Sequence, residues 1–156
     1  MMGTISMTEQ QQPTADTHDV SWVLNRLASS NGVEHAVLFT SDGLVLAHSE
    51  GLHRDVADRT AASSSSLFAL GRGVGEFAPT PDGTTPTPDG ATPRKIIIDL
   101  PGACVLVFAA GHNTVLAVSV SAEMTDAQVA VASADTIKAI KGLAPVLAAR
   151  ERTLTS

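Results

Sequence analysis

Two apolar runs in the second half of the chain set the hardest condition on its fold. Ile96-Ile97-Ile98 and Val105-Leu106-Val107-Phe108 carry no polar residue at alternate positions. A strand with one wet face alternates apolar and polar side chains, so these two must be covered on both sides, by helices or by another subunit. Their separators are short: Pro101-Gly102 between them, and Gly111-His112-Asn113 before a third apolar segment, Thr114 to Val120. Connections of that length join neighbours antiparallel, so residues 94–99, 103–110 and 114–120 read as a three-stranded meander.

Upstream, Val33 to Thr40 and Leu44 to Ser49 flank Ser41-Asp42-Gly43. Asp-Gly is a strong hairpin signal, because both central residues of a type I′ turn need positive φ. A two-residue turn pairs Ser41 with Leu44 and puts His35 and His48 on one face of the hairpin; a three-residue turn puts them on opposite faces. Helical spacing fills the gaps. Asp19 can cap a first helix through Val20, Val23, Leu24 and Leu27, stopped by Asn31-Gly32. A second runs from about Arg54 to Val74, with Asp55 as its cap and Gly71, Gly73 and Gly75 as its terminator. Its middle, Ala61-Ala62-Ser63-Ser64-Ser65-Ser66, is small enough to admit another backbone. A third opens on the capping box Thr125-Asp126-Ala127-Gln128, passes through Val131, Ala134, Ile137 and Ile140, and should end or kink at Gly142 and Pro145.

Two segments fall outside this pattern on composition. Residues 1–17 are polar and include Gln10-Gln11-Gln12-Pro13, which reads as a disordered arm. Residues 79–93 hold five prolines and repeat Thr-Pro-Asp-Gly, which reads as a mobile surface insert. The expected domain therefore covers 18–150, with 151–156 a tail.

Charge and chemistry remove most function classes. Sixteen acidic residues against ten Lys and Arg give −6, which argues against a phosphate-neutralising surface, and aromatics at 3% leave few rings to stack bases. Nucleic acid is not an expected partner. No apolar window is long enough to span a membrane, the N-terminus lacks a signal-peptide pattern, and Cys104 alone forms no internal disulfide, so a cytoplasmic protein is expected. None of the three lysines follows a glycine, so there is no phosphate loop. His53-Arg54-Asp55 resembles a kinase catalytic string, yet Thr60 stands where a metal-binding Asn is needed. Nothing reads as a catalytic, metal or cofactor set. The expectation is a chain that is not an enzyme and holds no cofactor.

The element order, and the strings Gly32-Val33, Val37 to Ala47, Ala61 to Val74 and Ala103 to Val120 with the capped last helix, resemble the Roadblock (dynein light chain/MglB-like) family. Within it the chain is most similar to the bacterial stand-alone type of actinobacterial conserved operons. The resemblance implies an α+β fold of order αββαβββα, a profilin-like sandwich whose five-stranded antiparallel sheet runs 2-1-5-4-3. It also implies a homodimer built from second helices packed across a two-fold axis and third strands continuing the sheet. On that reading Ala61, Ser64, Ser65, Leu67 and Phe68, with Ile96 and Ile98, form the interface, and Arg54, Arg59 and Arg72 are candidate partner contacts. The implied role is a non-enzymatic regulator or scaffold for a small Ras-like GTPase in a signalling complex that also holds a sensor-kinase-like protein, at the membrane only through partners. Two alternatives stand beside it: a purely architectural adaptor, and a small-ligand-sensing domain of profilin-like type.

Overall fold

The computed structural model of the chain describes residues 15–84, 92–122 and 126–155. Its elements are α1 (Ala15–Ala28), β1 (Val33–Thr40), β2 (Val45–His48), α2 (Arg54–Gly75), β3 (Lys95–Leu100), β4 (Ala103–Gly111), β5 (Thr114–Val120) and α3 (Ala127–Thr155). The strands form one antiparallel sheet in the order β2-β1-β5-β4-β3, which is the expected topology.

Helices lie on both faces of the sheet and bury Leu106, Val107 and Phe108 of β4 from both sides, whereas Ile96, Ile97 and Ile98 of β3 are only half-buried. On one side α1 and α3 enclose Leu24, Leu38, Leu106, Leu116 and Leu143, all without solvent access. On the other, α2 lies over Val37, Phe39, Val107, Val115 and Ala117 with Ala57, Ala61 and Phe68. Burying one leucine contributes about 1.5–3 kcal/mol, and an alanine far less. The α1/α3 side therefore anchors the protomer, and the α2 side is the thinner one.

Both hairpin turns differ from the simplest reading. Thr40 N donates to Leu44 O at 2.8 Å and Gly43 N to Thr40 O at 2.9 Å, which closes a three-residue loop. Only Gly43 has positive φ, +93°, so the turn is type I with a left-handed glycine rather than type I′. The register then runs Phe39↔Val45 and Leu38↔Ala47, leaving Leu46 as an extra residue in a bulge. Turn and bulge each shift the side-chain parity by one, so the shifts cancel. His48 stands opposite Val37, on the same face as His35. The type I′ turn occurs instead between β4 and β5, where His112 and Asn113 have φ of 54° and 59°.

Helix ends correct several expectations. α1 begins at Ala15, so Asp19 lies inside it and residues 15–17 are helical. The N-cap of α2 is His53, whose Nδ1 accepts from Asp55 N at 3.1 Å; Asp55 sits in the first turn, where its charge complements the helix dipole. α2 passes through Gly71 and Gly73 and ends at Gly75. For α3, Asp126 Oδ1 accepts from Gln128 N at 2.8 Å, one residue along from Thr125, which lies outside the described residues. α3 also runs unbroken through Gly142 and Pro145 to Thr155, so residues 151–155 are helical. An internal proline costs a helix about 3 kcal/mol. Leu143 and Leu147, 0% and 2% exposed, flank Pro145 and offset that cost by burial.

The start of the proline-rich insert forms a turn. Thr80-Pro81-Asp82-Gly83 forms a β-turn, with Gly83 N donating to Thr80 O at 3.1 Å. Asp82 Oδ1 accepts from Thr84 Oγ1 at 2.7 Å and Thr84 N at 3.1 Å, which holds the carboxyl below its usual range. The second Thr-Pro-Asp-Gly, Thr87 to Gly90, lies outside the described residues.

Candidate functional site

The α2 face of the sheet is where the predicted interface residues gather, and the helix sorts them by side. Ala57, Ala61, Ser64 and Phe68 follow a three-to-four spacing and are buried against the sheet. The small residues also receive the β1–β2 turn. A Cβ placed on Gly43 would stand 3.5 Å from Ala62 Cα and 3.6 Å from Ala61 O, and Ser65 Oγ donates to Ser41 O at 2.6 Å. The close backbone approach that this helix allows is thus used within the protomer, by the hairpin.

The opposite side of α2 is apolar and open. Val56, Leu67, Leu70 and Val74 repeat at helical spacing, and Leu70 and Val74 are 69% and 67% exposed. Leu67 is half-buried, and Phe77, just past the helix end, is 93% exposed. Arg59 and Ser63 complete this stripe. The arginines do not converge. Arg54 pairs with Asp58 at 3.2 Å, an exposed i,i+4 contact. Arg72 lies five helical turns from Arg54, about 27 Å along the axis, and Arg59 faces outward between them.

Beside this helix the sheet ends in β3, which pairs only with β4. Ile96 and Ile98 stand opposite Val107 and Val105 on the α2 side, whereas Ile97 faces the α1/α3 core. α2 packs over β1, β2 and β5, which leaves Ile96, Ile98 and Val105 half-exposed. A free strand edge next to half-exposed isoleucines invites another strand. The strand enters beside Gly71, where a Cβ would come within 2.5 Å of Pro93 Cγ. That glycine admits the chain returning to β3.

The two histidines on this face do not make a metal centre. His48 Nδ1 lies 2.9 Å from Ser49 O, and among the described residues no three His, Cys, Asp or Glu side chains group to hold an ion. Cys104 is buried on the other face, and burial together with the nearby Asp99 charge pushes its thiol pKa up, away from the reactive thiolate. No helix among the described residues is long and apolar enough to cross a membrane.

A sheet of order β2-β1-β5-β4-β3 with one helix on one face and two on the other matches a known domain. The family model for the Roadblock/LC7 domain covers residues 20–120. The chain belongs to the Roadblock/LC7 domain family. This Roadblock domain is similar to the Roadblock/LC7 domain from Streptomyces avermitilis, at 31% identity over 81% of this chain and 96% of that one, with a TM-score of 0.66. The gliding protein MglB from Thermus thermophilus shares the fold at 18% identity, 87% and 93% coverage and a TM-score of 0.69. Myxococcus xanthus MglB does so at 12% identity, 88% and 94% coverage and a TM-score of 0.67. No curated protein matches the chain. Sequence reasoning did not assign Leu70, Val74 and Phe77 to this surface. Their spacing after Leu67 carried the signal, but an apolar helical stripe does not say which of two stripes faces the sheet.

Proposed function

We propose that this Roadblock domain is a homodimeric, non-catalytic regulator or scaffold for a small Ras-like GTPase in a multi-component signalling complex. The observation that carries the dimer is the free β3 edge lying on the same side of the sheet as the open α2 stripe. A second subunit pairing along β3 would cover Ile96 and Ile98 and bring the two α2 helices alongside through Leu67 and Leu70. Ala61, Ser64 and Phe68 then support the interface from behind, and Ser65 fixes the hairpin beside it.

The GTPase as partner class follows from family membership, and charge agrees with a steered encounter. Residues 1–78 hold nine acidic and four basic side chains, so the first half attracts a basic patch. Arg59, on the outer stripe, is the arginine best placed to meet a partner; Arg54 and Arg72 flank it at the helix ends. The protein works in the cytoplasm, reaching the membrane only through its partners, a sensor-kinase-like protein among them. Hydrolysis of GTP and release of nucleotide by the partner GTPase, measured with and without saturating Roadblock protein, test the reading. A changed rate supports the regulator. Binding with both rates unchanged replaces it with the architectural adaptor.

A further inference from the structure

On the face of the sheet away from α2, α1 and α3 leave a half-open groove of about 430 Å³ between them. Its wall on the first side is Trp22 and Arg26 of α1 with Ser30 just past the helix end, its α3 wall Asp135, Lys138 and Gly142, and its lining is completed by Val23, Leu27 and Ala139. Trp22 is 58% exposed, and the Arg26 guanidinium lies 5.4 Å from the centre of its ring. We propose that this groove docks an amphipathic helix of a partner protein, with an acidic side chain of that helix between Arg26 and Lys138.

Three observations select that occupant. In a chain of net charge −6, this groove sets two cations against one carboxylate, and among the described residues neither Arg26 nor Lys138 makes an ion pair. The complement is therefore an acid. Gly142 and Ala139 make part of the lining low, and a Cβ on Gly142 would meet nothing within 4 Å, so a protruding side chain has room to enter. The apolar surface also outlasts the cavity. Val131, 54% exposed, continues the Asp135, Lys138 and Gly142 line one turn further along α3. A small molecule filling the cavity would leave Val131 bare, whereas a helix laid along the groove covers both. This surface lies across the sheet from the α2 stripe, so it does not depend on the GTPase reading.

The chain has one tryptophan and no tyrosine, so its indole emission reports on this groove alone. The probe is an amidated peptide of about fifteen residues, long enough to be helical, with leucines at i, i+3, i+4 and i+7 and one glutamate on the leucine face. Titration of the full chain should give a saturable blue shift of Trp22, about tenfold weaker when the glutamate is replaced by lysine. Lys138→Glu should reverse that order. Gly142→Leu should abolish the shift with helical content unchanged by circular dichroism. Equal binding of the acidic and basic peptides, equal binding of a scrambled peptide, or unaltered binding to Gly142→Leu overturns the proposal. So does a Trp22 shift on dilution without peptide, which would place a second copy of the chain in the groove. A shift on deletion of residues 1–14 would place the chain's own N-terminus there and overturn it equally.

Discussion

Single residues show how much depends on what lies opposite. Gly71 and Gly73 are both inside α2, yet a Cβ on Gly71 would meet the Pro93 ring at 2.5 Å while one on Gly73 would meet nothing. Alanine gains about 1 kcal/mol over glycine in a helix interior, so Gly73→Ala should raise the denaturant midpoint by that equivalent with an unchanged slope. At Gly71 the same gain is set against overpacking of about 1–3 kcal/mol on a rigid ring, and Gly71→Ala should lower the midpoint. Glycine spacing alone reads as helix punctuation, because the neighbour that makes one of these residues necessary arrives from about twenty residues further along the chain. Cys104 offers a second test. Its folded thiol titrates above the ordinary value of 9.0, first because of burial and then because of Asp99. The unfolded chain therefore releases the proton first as pH rises. The stabilisation is complete below pH 9.0 and is lost as the pH climbs through the higher folded value. Denaturant midpoints should fall above about pH 9, and Cys104→Ala should flatten that fall, in a window free of tyrosine titration.

At the scale of elements, α2 has two apolar stripes with different duties. Phe68 is 6% exposed against the sheet and Leu70 is 69% exposed on the far side. Phe68→Asp buries an unpaired charge and should unfold the protomer, a loss above about 4 kcal/mol, visible as lost circular dichroism. Leu70→Asp, combined with Leu67→Asp, should leave the protomer folded and shift sedimentation from dimer to monomer; an unchanged dimer would place the interface elsewhere. Helical spacing identified this helix through Val56, Leu67, Leu70 and Val74, which belong to the open stripe, while Ala57, Ala61, Ser64 and Phe68 face the sheet; a repeat of three and four residues has no arrow pointing at the sheet. The last helix behaves differently. Pro145 is exposed and sits between two buried leucines, so Pro145→Ala should stabilise α3, by up to about 3 kcal/mol in thermal unfolding. The proline reads as a stop because local cost is all that is visible in sequence, and Leu143 and Leu147 outweigh it only once a sheet lies beneath them.

For the whole molecule, the sheet is closed on one flank by a four-residue bulged strand and left open at β3. The short, irregular β2 edge resists pairing, and the regular six-residue β3 edge favours it. If stability is shared between subunits through that edge, unfolding temperature should rise with protein concentration, by several degrees over a hundredfold range. A concentration-independent transition would mean that the protomer is complete alone. The charge of the molecule is also divided. Of its sixteen acidic residues nine precede residue 79, whereas the groove between α1 and α3 carries excess positive charge.

Sequence alone determined the element order and, through its resemblance, the strand order. Continuous apolar runs suit strands covered on both faces, short separators join them antiparallel, and helical spacing accounts for the rest. Only the tertiary structure decided which residues of α2 the protomer keeps for itself, where the hairpin register recovers through Leu46, and that α3 continues past Pro145. The reason is the same each time. Local propensity is a matter of about 1–3 kcal/mol per residue, and burial against a distant element is as large, so the outcome belongs to the neighbour that the linear sequence does not show.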